Sequence, residues 1–240
     1  MKIAGCVALV TGANRGIGKA FVDALLDAGA AKVYAGVRDV ASITDPRVTP
    51  LELDVTAPET IAAAVAACTD VTVLVNNAGI MNGSPMLAAT SEAAMRGEFE
   101  VNVFGMQRMI RAFAPILAAN GGGAIVNMLS VVSWFTTAIN STYCASKHAA
   151  LSVSDSARIE LRAQGTRVVG VYVGFVDTDM AAGIDSPKVS PHDVAQAALA
   201  GVEDGRDHVR VGERAESVWN LSRTDPEQME RTMQAAWDTR

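Results

Sequence analysis

The sequence predicts an α/β fold, a doubly wound parallel sheet with helices on both faces in a single domain. Three observations predict it. Short, flat apolar runs alternate with longer helical patterns along the whole chain, which is the pattern of strands buried on both faces and joined by right-handed crossovers. A glycine-rich turn, TGANRGIG at residues 11 to 18, stands directly behind the first apolar run. No linker, repeat or low-complexity tract divides the 240 residues.

Taken in order, the first strand is Val7–Val10, followed by a helix from Ile17 to about Ala28 that Gly29 closes. Lys32–Val37, Val48–Leu53, Val71–Val75, Ala124–Met128 and Arg167–Val173 are the next strands. Between them lie helices near Pro58–Ala67, Ser91–Ala119 and Ser141–Gln164. The second of these carries Gly97, Gly105 and Pro115 and is expected to be bent or divided. Gly121-Gly122-Gly123 reads as a turn. Asp193–Val202 and Pro226–Trp237 complete the helices, the latter within a helical extension beginning at about residue 213.

Glycine is costly to order, so three in eight residues imply a positive φ or a close approach to the backbone. Between strand and helix, Gly12-x-x-x-Gly16-x-Gly18 would turn backbone N–H groups and a helix start toward a pyrophosphate, as in a Rossmann-like dinucleotide site. Cofactor choice is read where the second strand ends, beside the adenosine ribose. There the chain offers Arg38, then Asp39, and Arg15 adds a second guanidinium inside the glycine loop. Two guanidiniums suit a 2′-phosphate, so NADP(H) is expected, with NAD(H) left open by Asp39.

The second informative stretch is Tyr143-Cys144-Ala145-Ser146-Lys147. A spacing of four puts Tyr143 and Lys147 on one helix face, where an ammonium would favour the phenolate and bring the phenol toward working pH. Ser130 follows the preceding strand, at the carboxyl edge where such sheets bind ligands. Its hydroxyl would donate to a carbonyl oxygen beside Tyr143.

Composition excludes several classes. Net charge is −6 and no basic cluster exceeds two residues, so no nucleic-acid surface is expected. Charged residues interrupt the N-terminal apolar run early, and no stretch is long enough to span a bilayer; a cytoplasmic protein is expected. Cys6, Cys68 and Cys144 lack metal-ligand or disulfide spacing, and His148, His192 and His208 are isolated. No metal is expected, because the serine and tyrosine would activate the carbonyl.

These residues resemble the short-chain dehydrogenase/reductase family from Val7 to about Met180. The elements that carry the resemblance are Thr11-Gly12-Ala13-Asn14-Arg15-Gly16-Ile17-Gly18, Leu53-Asp54-Val55, Asn76-Asn77-Ala78-Gly79, Asn102, Ser130, Tyr143 with Lys147, and Gly174-Phe175-Val176-Asp177-Thr178. The resemblance implies Tyr143 as the acid/base and Ser130 as the group that orients the carbonyl oxygen. It implies Lys147 on the nicotinamide ribose, and Asn102 holding a water that relays protons to Lys147. It places Asp54 and Val55 at the adenine, Asn76, Ala78 and Gly79 beside the cofactor, Val176 among the cofactor contacts, and Thr178 near the pyrophosphate or the carboxamide.

Two departures stand out. Val173 replaces the proline that usually precedes Gly174, and beyond Gly212 a charged helix bearing Trp219 replaces a glycine-rich terminal strand. The family's common tetramer is therefore not carried over, and monomer, dimer and tetramer all stay open. The segment Asp179–Ser190 is short for a substrate flap, and Met81, Val132, Trp134 and Phe135 lie close in sequence to the expected crevice, implying an apolar, open pocket. The expected activity is hydride transfer between NADP(H) and a ketone or secondary alcohol. A non-catalytic NADP(H)-binding regulator, or a dehydratase or epimerase using the same tyrosine, are the rival readings.

Overall fold

The computed structural model describes residues 1–239. Strands β1 (Val7–Thr11), β2 (Lys32–Val37), β3 (Thr49–Glu52), β4 (Val73–Asn76), β5 (Gly123–Met128), β6 (Thr166–Val173) and β7 (His208–Val211) form one parallel sheet in the order β3-β2-β1-β4-β5-β6-β7. The chain builds outward from β1 to β3, then returns to place β4 on the other side of β1. Leu9 accordingly pairs with Tyr34 on one side and Leu74 on the other. That reversal opens a crevice outside the carboxyl ends of β1 and β4.

Both faces are covered. Helices α1 (Gly16–Asp27) and α6 (Pro191–Asp204) bury Phe21, Leu25, Val194 and Leu199 against Val10 and Val33. On the other face α2 (Pro58–Ala67), α4 (Met106–Ala119) and α5 (Ser141–Leu161) bury Ile61, Met109, Phe113 and Leu117 against Leu9, Leu74 and Ile125. Phe113 is fully buried, and truncating such a side chain typically costs about 3–5 kcal/mol.

The long Ser91–Ala119 segment is divided, as its glycines imply, but not at Pro115. Helix α3 (Ser91–Phe99) passes through a π turn, Glu100–Gly105, into α4. Pro115 sits on an exposed face inside α4, where the carbonyl that it leaves without a donor meets solvent. At Gly105 a Cβ would press on Val55 Cγ2 at 2.6 Å, so the absent side chain lets the π turn close on the segment after β3.

The strand β7 has no counterpart in the sequence reading. Its burial alternates, with His208 exposed and Val209 and Val211 buried, as befits an edge strand and not the flat apolar pattern of the other strands. Beyond it, α7 (Glu213–Thr224) and α8 (Pro226–Asp238) pack Ala215 and Met229 against Val131 and Phe135. Trp134 stacks on Tyr172 with ring centroids 4.3 Å apart and meets Trp219 edge-on at 4.8 Å. Trp134 and Phe135, read from sequence as lying near the pocket, anchor this C-terminal layer and also line a small cleft between it and His148.

Candidate active site

The glycine loop leaves β1 at the switch point. Gly12 and Gly16 have φ of +65° and +52°, which side-chain-bearing residues rarely adopt. A Cβ at Gly18 would collide with the Gly12 carbonyl oxygen, and one at Gly16 would lie 3.2 Å from Thr178 Cγ2. Helix α1 then begins with no side-chain cap at Arg15 and no acidic residue in its first turn. Its free N–H groups and positive end fit a phosphate. Asn14 and Arg15 are exposed, and Arg15 Nη1 lies 3.3 Å from Asp179 Oδ2 across the mouth of the loop.

Asn77 fixes this loop to the end of β4. Its Nδ2 donates to the carbonyls of Thr11 at 2.9 Å and Gly12 at 3.1 Å, while the Asn77 and Ala78 N–H groups each donate to Thr11 Oγ1 at 3.0 Å. Asn76 has a different surrounding from the one the resemblance implies for it. Its side chain is buried in the sheet and donates to Asn127 Oδ1 at 2.8 Å, and Asn127 in turn donates to Ser154 Oγ at 2.9 Å. This polar chain ties β4 and β5 to α5.

At the end of β2, Arg38 is exposed, and it has no hydrogen bond or ion pair among the described residues. Asp39 Oδ1 accepts the Ala41 N–H at 3.0 Å and so caps the next turn. Asp54 accepts from both the Thr56 N–H and its hydroxyl. Burial works against ionisation of Asp54, but these bonds and the charge of Arg38 hold it below the usual carboxylate value. The Val55 side chain is buried in the hydrophobic core beneath the π turn, leaving only its backbone to face a ligand.

Tyr143 lies in the first turn of α5 and Lys147 one turn on, the ammonium 5.7 Å from the phenol ring centroid. Ser130 stands just past β5 in extended conformation and caps the following turn, its Oγ accepting from the Val132 N–H at 3.3 Å. Burial pushes the Tyr143 phenol well up; Cys144 and Glu98 add to this, and the Ser130 hydroxyl opposes it. Burial alone brings Lys147 down to about 8, and its Nζ donates to the Met128 carbonyl at 2.9 Å. Here the two predicted partners share a face, and burial outweighs every influence that would lower the phenol.

Asn102 sits in the π turn. Its Oδ1 accepts the Ile80 N–H and its Nδ2 donates to the Ile80 carbonyl, both at 2.9 Å, and Nδ2 also reaches Ser146 Oγ at 3.1 Å. These bonds hold the segment after β4 against the π turn and α5. A Cβ at Gly79 would lie 3.2 Å from Asn102 Oδ1 and 3.9 Å from Lys147 Nζ, so a glycine there lets strand end, asparagine and lysine converge. The sequence reading did not pick out Glu98, a fully buried carboxylate one helical turn before Asn102. An acid four residues before Asn102, and so on the same helix face, was the available signal.

At the other wall, Val176 is buried and Thr178 Oγ1 donates to its carbonyl at 3.3 Å. The short flap is closed back on itself by paired backbone bonds of Val189 with Phe175 and Asp177. In place of the usual proline's constraint, Arg214 of α7 lies against Gly174, where a Cβ would meet its Cδ at 2.6 Å, and over the Phe175 ring at 4.7 Å.

A parallel sheet with a glycine loop at its switch point, and a serine and tyrosine-lysine pair at the neighbouring strand ends, defines a dinucleotide-binding oxidoreductase. Residues 6–188 match the family described as short chain dehydrogenase, and the chain belongs to the short-chain dehydrogenase/reductase family. It is 35% identical to a sorbitol dehydrogenase of Cereibacter sphaeroides over 196 residues, covering 78% of this chain and 76% of that one. A short chain dehydrogenase from Burkholderia cenocepacia, solved in complex with NADP, superposes with TM-score 0.93 at 41% identity over 97% of this chain and 99% of that one. A 3-ketoacyl-(acyl-carrier-protein) reductase from Brucella melitensis, complexed with NADH, gives 0.81 at 25% identity over 89% and 100%. A nicotinamide cofactor is therefore part of the chemistry.

Proposed function

We propose that this chain is an NADP(H)-dependent carbonyl reductase or alcohol dehydrogenase acting on apolar ketones and secondary alcohols. The observation that carries the reading is the placement of Lys147 one turn beyond Tyr143 on α5, its ammonium 5.7 Å from the phenol ring, with Ser130 just past β5 at the carboxyl edge of the sheet. When bound, the nicotinamide supplies or accepts the hydride. Ser130 orients the carbonyl oxygen, and Tyr143 gives it a proton in reduction or removes one in oxidation. Lys147 binds the nicotinamide ribose and, with Asn102 holding a water, returns the proton to the phenol.

NADP(H) is favoured over NAD(H) by two exposed guanidiniums, Arg15 and Arg38, at the places where a 2′-phosphate would meet them. Asp39, the residue that would favour a ribose hydroxyl, spends one oxygen on its cap. The NADP complex of the Burkholderia protein supports the same choice. Gly12, Gly16, Ile17 and Gly18 would cradle the pyrophosphate, while Asp54 and the Val55 backbone flank the adenine, and Ala78, Gly79, Val176 and Thr178 flank the nicotinamide half.

The apolar substrate rests on the cleft between the segment after β4 and α8, about 1070 Å³ in volume and lined by Pro85, Met86, Leu87, Thr136, Met233 and Trp237. Ser141, two residues before Tyr143, reaches the same cleft. Following reduced-cofactor absorbance over a panel of aryl ketones and sugars, with NADPH and NADH, should show NADPH oxidised fastest with the aryl ketones. Faster turnover of sugars, the class suggested by the relative named for sorbitol, would overturn the apolar assignment. Met233→Ser should raise KM for the ketones roughly tenfold by removing apolar contact area, with kcat kept.

Lys147 also sets a pH dependence. With its value brought down to about 8, the ammonium is present below that pH and is lost as pH rises through it. The kcat/KM for ketone reduction, which reports the free enzyme, should therefore fall above about pH 8, read from initial rates across a buffer series. A flat profile to well above that point would remove the ammonium from the mechanism.

A further inference from the structure

We propose that Glu98 is a positioning residue of the active site: from the helix one turn before Asn102, its carboxyl group clamps the Asn82–Gly83 turn and, through the Ser84–Thr142 bonds that follow, holds the first turn of α5 that carries Tyr143. The proposal rests on the reading of Tyr143 as the proton-transfer group.

Glu98 is fully buried, a costly place for a carboxyl group without partners. Its Oε1 accepts the N–H groups of both Asn82 and Gly83 at 2.9 Å. Its Oε2 is buried with no partner among the described residues. One turn on, Asn102 holds Ile80 by both its N–H and its carbonyl. Residues four apart on a helix share a face, so one face of α3 and the π turn grips the segment Ile80–Gly83 at both ends.

The grip is tight. A Cβ at Gly83, whose φ is +58°, would meet Asn140 Oδ1 at 2.7 Å, and one at Gly97 would meet Asn82 Nδ2 at 3.1 Å. The next residue, Ser84, exchanges bonds with Thr142: its N–H donates to Thr142 Oγ1 at 3.1 Å and its carbonyl accepts the Thr142 N–H at 3.3 Å. Thr142 immediately precedes Tyr143. Glu98 therefore fixes a segment that is itself bonded to the first turn of α5, where the phenol is carried.

Two variants test the clamp. Glu98→Gln keeps an acceptor for the two N–H groups, and Glu98→Ala removes it. In the cofactor-free protein, amide hydrogen exchange at Asn82 and Gly83 should stay slow in Glu98→Gln and quicken roughly tenfold or more in Glu98→Ala. The kcat for ketone reduction should fall roughly tenfold in Glu98→Ala and return to within about twofold of wild type in Glu98→Gln. Unchanged exchange in Glu98→Ala would overturn the clamp, and an unchanged kcat in Glu98→Ala would overturn its bearing on Tyr143. The exchange measurement does not involve turnover, so it stands even if Tyr143 proves not to be the proton-transfer group.

Discussion

Tyr143→Phe should abolish most turnover, by about 10²- to 10⁴-fold in kcat, the usual contribution of a positioned general acid or base. Phenylalanine keeps the ring and removes only the hydroxyl. Folding should lose no more than about 0.5–1.5 kcal/mol, the net worth of one hydrogen bond. NADPH affinity, read from the protein-fluorescence change on titration, should stay near wild type, because the proposed pyrophosphate and 2′-phosphate contacts lie at Gly12–Gly18 and Arg38. Loss of turnover together with retained NADPH binding assigns the hydroxyl to the proton step. Unchanged turnover would falsify that assignment. A non-catalytic regulator on this fold would show no cofactor-linked turnover even in the unmutated chain, and a dehydratase or epimerase would show no net change in NADPH.

The parts of this site that rest on local chemistry were legible in the sequence. Gly12, Gly16 and Gly18 announce themselves because the backbone there needs positive φ or lacks room for Cβ. Tyr143 and Lys147 are legible because helix periodicity fixes their common face. What sequence could not convey is long-range pairing. Asn76 is one link of a chain that runs through Asn127 to Ser154, and only the β4-β5 register brings the first two together. Trp134 follows Ser130 closely in sequence, yet it packs on Tyr172 and Trp219 because α7 folds over that side of the sheet. β7 was missed because a four-residue edge strand carrying His208 and Arg210 has no flat apolar signature. The lowering of Tyr143 by Lys147 was inferred from spacing alone, whereas burial, which spacing does not report, dominates both groups.

Arg38→Asp should reverse the cofactor preference. Arg38 follows β2, the strand next to β1 in the sheet, and its guanidinium is exposed. A hydrogen bond from a charged donor contributes about 1.5–3 kcal/mol, so removing it should weaken NADPH by roughly 10- to 150-fold, and the new carboxylate would repel a 2′-phosphate besides. NADH, which carries a hydroxyl at that position, should bind as well as before or better, because aspartate can accept from it. The same change removes the positive charge that helps hold Asp54 ionised, so the Asp54 carboxyl should rise toward its ordinary value. Arg15 is paired with Asp179 while both are exposed, so its contribution should be smaller and should fade with added salt. Titrating wild type, Arg38→Asp and Arg15→Ala with each cofactor at two ionic strengths separates these effects. If Arg38→Asp binds NADPH within a factor of about two of wild type while losing NADH, the guanidinium supports the adenosine half by another route and the phosphate reading of this strand end is wrong.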